Sequence, residues 1–180
     1  RRKTITKKIT SGYKEEMLMV RNLEELGPFL QKIMVRLTTN QNLLKLLYYS
    51  DKAPLEKKDL TQDQIINEVF DKLIKIVPRI GPKEDAKSLI SLRVVDGARL
   101  SSNIEFQRIV LAIEIFVPLT QWKMKGTNLR PFSIMGEIQK SLNGKVIDGM
   151  GKLRGGDFEI NFLTDEMSCY EMTFDLTAYD

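Results

Sequence analysis

Chemistry needs an activated group, and few residues of this chain could supply one. Adjacent acids occur at Glu84-Asp85 and Asp165-Glu166, but two carboxylates act as catalytic acid and base only where they flank a pocket at a set separation. Side by side in sequence they read as solvated surface. The single cysteine, Cys169, lies in the alternating stretch "SCYEMTFDLTAY", where a thiol serves as a small apolar filler. Histidine is absent, which removes the usual imidazole base for a nucleophile and the usual zinc sites. One cysteine also excludes an internal disulfide.

The glycines and lysines of "GKVIDGMGKLRGG" imitate a phosphate loop, but the spacing fails. Val146 stands five residues before Gly151-Lys152, where glycine is required, and Leu153 replaces the Ser or Thr that would hold magnesium. A series of β-turns is expected there. The sequence thus predicts no catalytic residue, no metal site and no cofactor.

Charge offers more. The chain of 180 residues carries a net +4, unevenly spread. Residues 155–180 hold seven acids and no lysine or arginine, so the part before them stands at +11. Five of the first eight residues are basic: Arg1, Arg2, Lys3, Lys7 and Lys8. Such an arm is a solvated terminus, a contact to an acidic segment of a neighbouring copy, or a contact to phosphates. Trp122, in "PLTQWKMKGTNLRP", stands near Lys123, Lys125 and Arg130. The ring is either a stacking platform for single-stranded nucleic acid or a cap on a strand end, buried under a helix. Duplex recognition finds no motif, so any DNA contact is expected through phosphate charge alone.

These groups must be positioned by secondary structure. With 42% apolar residues the chain is long enough for one domain with its own core, taken here as residues 22–180 behind a basic arm, 1–21. In "NLEELGPFLQKIMVRL" the residues Leu30, Ile33, Met34 and Leu37 recur on one helix face, and Gly27-Pro28 marks its start or a kink. "TTNQNLLKLLYYS" predicts a second helix. Thr61 to Gln64 fits a capping box, with Ile65, Ile66, Val69 and Leu73 continuing a third. Strands are expected at "IKIVPRI", "SLISLRVV", "QRIVLAIEIFVPL", "KVIDGMGKL", "FEINFL" and "SCYEMTFDLTAY". The "QRIVLAIEIFVPL" strand, with Ile109, Leu111, Ile113, Ile115 and Val117 on one face and a mixed set, Arg108, Val110, Ala112, Glu114 and Phe116, on the other, is expected to be central or at an oligomer contact, and residues 96–106 to project as a loop. Between these strands, "RPFSIMGEIQKSLNG" predicts a helix entered by Pro131 and left by Asn143-Gly144, with Ile134, Ile138 and Leu142 packing on the sheet and Glu137, Gln139 and Lys140 outward. The order defines an α+β fold: an antiparallel sheet with helices on one face, N-terminal helices and one crossover helix.

Two stretches carry a resemblance. "NQNLLKLLYYSDKAPL", and "QWKMKGTNLRPFSIMGEIQKSLNGKVIDGMGKL" after it, resemble tailed-bacteriophage virion proteins of the tail-terminator and head-to-tail joining type. The shared elements are Leu46 to Leu55, Gln121-Trp122, Arg130 to Gly144, and Gly149 to Gly151, within a likeness over roughly residues 22–180. The resemblance implies a structural subunit that closes into a six- or twelve-fold ring in the virion neck or tail, around the DNA channel, beside portal-side and tail-side proteins. It implies no enzymatic activity. Arms and loops such as 1–21 and 96–106 would grip neighbours, and Trp122, Lys123, Lys125 and Arg130 become candidates for the channel or a neighbour contact. The basic arm has no counterpart in that pattern. A nucleic-acid-binding module built on the arm and the Trp122 region stays open as the alternative. No run approaches the ~18 apolar residues that span a bilayer, and "RRKTITKKIT" lacks the apolar core of a secretory signal. The protein is therefore expected to be soluble, made in the host cytoplasm and free of membrane partners.

Overall fold

A computed structural model describes residues 23–76, 87–100, 103–148 and 150–177, so the basic arm, with Arg1, Arg2, Lys3, Lys7 and Lys8, lies outside the described residues. Helix α1, Leu26–Thr38, takes Pro28 into its first turn, where the missing N–H breaks no helix bond. Its buried stripe is Phe29, Ile33, Met34 and Leu37. Helix α2, Gln41–Tyr48, begins under an N-cap in which Asn40 Oδ1 accepts the Leu43 N–H at 3.1 Å.

Thr61 and Gln64 form the expected capping box, but the helix it opens is short. Helix α3, Gln62–Gln64, passes into a π-turn over Ile65–Val69 that closes with the Phe70 N–H donating to the Ile65 carbonyl at 2.9 Å. Asp71, at φ 58°, then turns the chain away. The longer third helix is thereby corrected: the wide turn buries Ile65, Val69 and Leu73 and leaves Ile66 in solvent.

The strands are β1 (Ile74–Lys75), β2 (Leu89–Leu100), β3 (Asn103–Pro118), β4 (Val146–Ile147), β5 (Gly151–Leu163) and β6 (Met167–Thr177), in one sheet ordered β1-β2-β3-β6-β5-β4. Every pairing is antiparallel except the short β1, which runs parallel to β2. The expected loop at 96–106 is a second correction. Asp96 pairs with Val110 and Arg99 with Gln107, so most of that stretch extends β2 and β3 into a long hairpin. The stretch "DGARLSSNIEF" lacks the strict apolar alternation by which a strand is read from sequence.

Helix α4, Arg130–Leu142, is the crossover between β3 and β4, and Asn143 and Gly144 end it with Gly144 at φ 71°. Ile134, Ile138 and Leu142 are fully buried, as their spacing predicts. Strand register lays out the face they cover: Ile90, Ile115 and Tyr170 form one row, Leu92, Ile113 and Met172 the next, Val94, Leu111 and Phe174 a third. Helix α1 packs on β2, α4 on β3 and β5, and α2 on α1 and α4. β3 is central and also buries Ala112, Glu114 and Phe116 on its opposite face.

Candidate functional site

The residues singled out around Trp122 fall into two roles. Arg130 is corrected as a channel or neighbour contact, because its side chain is fully buried. Its Nε donates to the Gln121 carbonyl at 3.0 Å, and Nη1 to the carbonyls of Leu46 and Tyr49 at 2.7 and 2.6 Å. Nη2 donates to the Asp51 carbonyl. The last carbonyls of a helix have no partner within it and carry its negative dipole end, and here one guanidinium gathers those of α2 and the turn after it. Burial lowers the Arg130 pKa, with Asp51 opposing. Arg130 thus ties "LLYYSD" to "QW…LRP", the two stretches that carried the resemblance.

Trp122 is half-buried at the end of β3, its Nε1–H donating to Ser168 Oγ at 2.7 Å and its ring stacked on Tyr170 at 6.5 Å between centroids. This is the strand-capping arrangement. One side of the ring still lines a cleft of about 430 Å³ with Lys52, Lys123 and Leu163. Lys123 is exposed there. Lys125 is turned to a different neighbour, with Nζ 2.8 Å from Glu56 Oε1, a hydrogen bond that raises its pKa.

Four exposed large apolar side chains, Phe158, Ile160, Phe162 and Leu163, lie along β5. β6 pairs with β5 over most of its length, but on the other side β4 covers only Gly151 and Lys152. Beyond the register shift at Gly155-Gly156, the outer edge from Asp157 to Leu163 carries no strand among the described residues. On the helix side of this edge Phe158 is 58% exposed, Ile160 52% and Phe132 of α4 44%. Phe132 packs on Phe158 and Tyr170, with centroids 6.4 and 5.7 Å apart. An unpaired strand edge beside an exposed apolar face is a ready template for association. Sequence reasoning saw "FEINFL" as a strand but not as an edge, which pairing order alone decides. A register shift between Ile160 and Phe162 sends Phe162 to the opposite face, against Phe116.

That opposite face holds a charged group that sequence reasoning also missed. Arg93 of β2 pairs through Nη2 with Glu114 of β3, at 3.1 Å, and with Glu171 of β6. Asn161 Nδ2 donates to Glu114 Oε1 at 3.3 Å. Burial pushes the Glu114 pKa up, Glu171 adds to the rise and Arg93 opposes it. Burial, then Glu114 and Glu171, push the Cys169 thiol to about 12, so it is protonated and unreactive at neutral pH. Among the described residues no three His, Cys, Asp or Glu side chains are grouped so as to hold a metal ion. No described helix is long and apolar enough to cross a membrane.

An α+β domain with a buried structural junction and an apolar strand edge that no described strand covers is the class these observations define. The sequence matches the YomW family over residues 40–176, and the chain belongs to that family. The family takes its name from a gene product of a Bacillus phage region of the SPbeta prophage type, which places this chain among phage-associated proteins. No curated protein matches the sequence.

Proposed function

We propose that this chain is a non-enzymatic structural protein of a phage virion, a subunit that closes into a homo-oligomeric ring in the head-tail connection, around the DNA channel. The observation that carries the reading is the β5 edge from Asp157 to Leu163, which no strand among the described residues pairs on its outer side and which adjoins exposed Phe158, Ile160 and Phe132. A chain working alone would leave this surface wet, whereas a ring of copies or a neighbouring neck protein would cover it. Membership of a phage-named family supports the setting. Ring order is six- or twelve-fold on this reading, with portal-side and tail-side proteins as partners and genomic DNA touched only through phosphates.

Native mass spectrometry of the purified chain tests it. The expected result is a closed species of six or twelve subunits, and a Phe158→Ser, Ile160→Ser variant is expected to dissociate while retaining its circular dichroism. A monomer that binds single-stranded DNA with a steep salt dependence would overturn the ring in favour of the nucleic-acid module.

A further inference from the structure

The two ends of β5 carry surfaces of opposite character. Beside its start, α1, the end of α4 and β4 enclose an open cleft of about 580 Å³, where Lys32, Arg36, Lys140 and Lys145 surround Val35 and Val146. Val35 is 54% exposed and Val146 38%. The cleft wall is fixed by Arg36 Nε donating to the Ser141 carbonyl and Lys32 Nζ to the Asp148 carbonyl, each at 2.7 Å. Glu137 holds Lys140 at 2.7 Å and the Asp148 side chain stands at the lining, so about two of the four positive charges are uncompensated.

At the far end, the β5–β6 turn presents Leu163, 58% exposed, followed by exposed Asp165 and Glu166. Thr164 makes the turn rigid: its Oγ1 accepts the N–H groups of Met167 and Glu166 at 3.0 and 3.3 Å, and its N–H donates to the Met167 carbonyl at 2.9 Å. Neither acid forms an ion pair among the described residues. Lys52 and Lys123, beside Leu163, are the nearby charges that compete for them. The 13 residues of β5 span roughly 40 Å of extended chain, so the turn cannot reach its own cleft.

We propose that the β5–β6 turn of one copy seats in the α1–α4–β4 cleft of the next, Leu163 against Val35 and Val146, and Asp165 and Glu166 against Lys32, Arg36 and Lys145. This rests on the ring reading and names its contact. Two different surfaces at opposite ends of one strand make a head-to-tail interface, which repeats until rotation closes it. Leu163 also continues the exposed apolar row of Phe158 and Ile160, so one neighbour can cover both. The exposed valines favour a peptide bearing leucine and acids over a phosphate backbone, which would need only the cations.

Charge reversal in the full chain tests the contact, read by native mass spectrometry. Asp165→Lys with Glu166→Lys, and separately Lys32→Glu with Lys145→Glu, are each expected to reduce the oligomer to monomer. Mixing the two variants should restore an even-numbered alternating oligomer, because each reversed surface then meets its complement; that recovery shows both chains are folded. Wild-type mass in both variants would overturn the contact and leave the ring standing. A monomeric wild-type chain would overturn both. Loss of DNA binding in the Lys32→Glu, Lys145→Glu variant, with its mass unchanged, would reassign the cleft to nucleic acid and overturn the peptide contact.

Discussion

Two arginines show how differently this fold uses the same side chain. Arg130, at the start of α4, is fully buried and meets backbone carbonyls of Leu46, Tyr49, Asp51 and Gln121. Arg93, on β2, keeps about a third of its side chain in solvent and meets two carboxylates, Glu114 and Glu171. The first directs its hydrogen bonds to backbone carbonyls, with the Asp51 carboxylate favouring its charge without a direct hydrogen bond, so its fixed fork is what the site requires. The second belongs to a cluster in which charge can be redistributed by a proton. The contrast separates a junction that defines the fold from a sheet face whose electrostatics can vary with conditions.

The largest effect is expected at the junction. Arg130→Met should lower stability by about 3–5 kcal/mol in urea unfolding, since four carbonyls lose their donor in a buried site. Arg130→Lys should recover little of it, because a single ammonium cannot fork between Gln121 and the end of α2. A loss under about 1 kcal/mol for Arg130→Met would mean that water replaces the guanidinium and that the junction is no different in kind from the sheet face.

Breaking the cluster should cost less. Arg93→Met is expected to lower stability by about 2 kcal/mol at neutral pH, by leaving Glu114 and Glu171 facing each other without their shared donor. The loss should shrink in acid, where Glu114, its pKa raised by burial, takes up a proton and the repulsion between the pair disappears. An equal loss at all pH values would show that Arg93 acts through the packing of its stem and not through charge.

The two sites were also unequally hidden in the sequence. The apolar stripe Ile134, Ile138, Leu142 and the alternation Ile109, Leu111, Ile113, Ile115, Val117 were legible because burial on one face imposes a period. The Thr61–Gln64 cap was legible because its chemistry is local. Arg130 was not, since its partners are carbonyls, which every residue has, and an arginine before a proline at a helix start reads as surface. Arg93, Glu114 and Glu171 lie on three strands and become neighbours only once the register is set. The exposed Phe158–Ile160 row depends on β5 being nearly uncovered at one edge, a property of strand order and not of the strand.

The finest separation of the two sites comes from a single proton. Glu114 has its folded-state pKa raised above the ordinary glutamate value of 4.5, by burial first, with Glu171 adding and Arg93 opposing. The folded chain therefore holds that proton more firmly than the unfolded chain. The associated stabilisation is fully present below 4.5 and is lost as pH rises through the raised value. Glu114→Gln keeps an oxygen to accept from Arg93 and Asn161 but removes the titration. Its stability relative to the wild type should rise with pH across that window and then level off, by on the order of 1 kcal/mol or less. Asp51 sets the opposite limb. Burial pushes its pKa up, but the Ala53 N–H and Lys57 outweigh that, with a further contribution from Arg130, and hold it below 3.8. Its contribution is present above that value and is lost as pH falls, so the acid limb should survive in Glu114→Gln. A difference between Glu114→Gln and wild type that stays flat with pH would mean that Arg93 cancels burial and Glu114 titrates alike in the folded and unfolded chain; one that falls with pH would mean that Arg93 outweighs burial and holds Glu114 ionised.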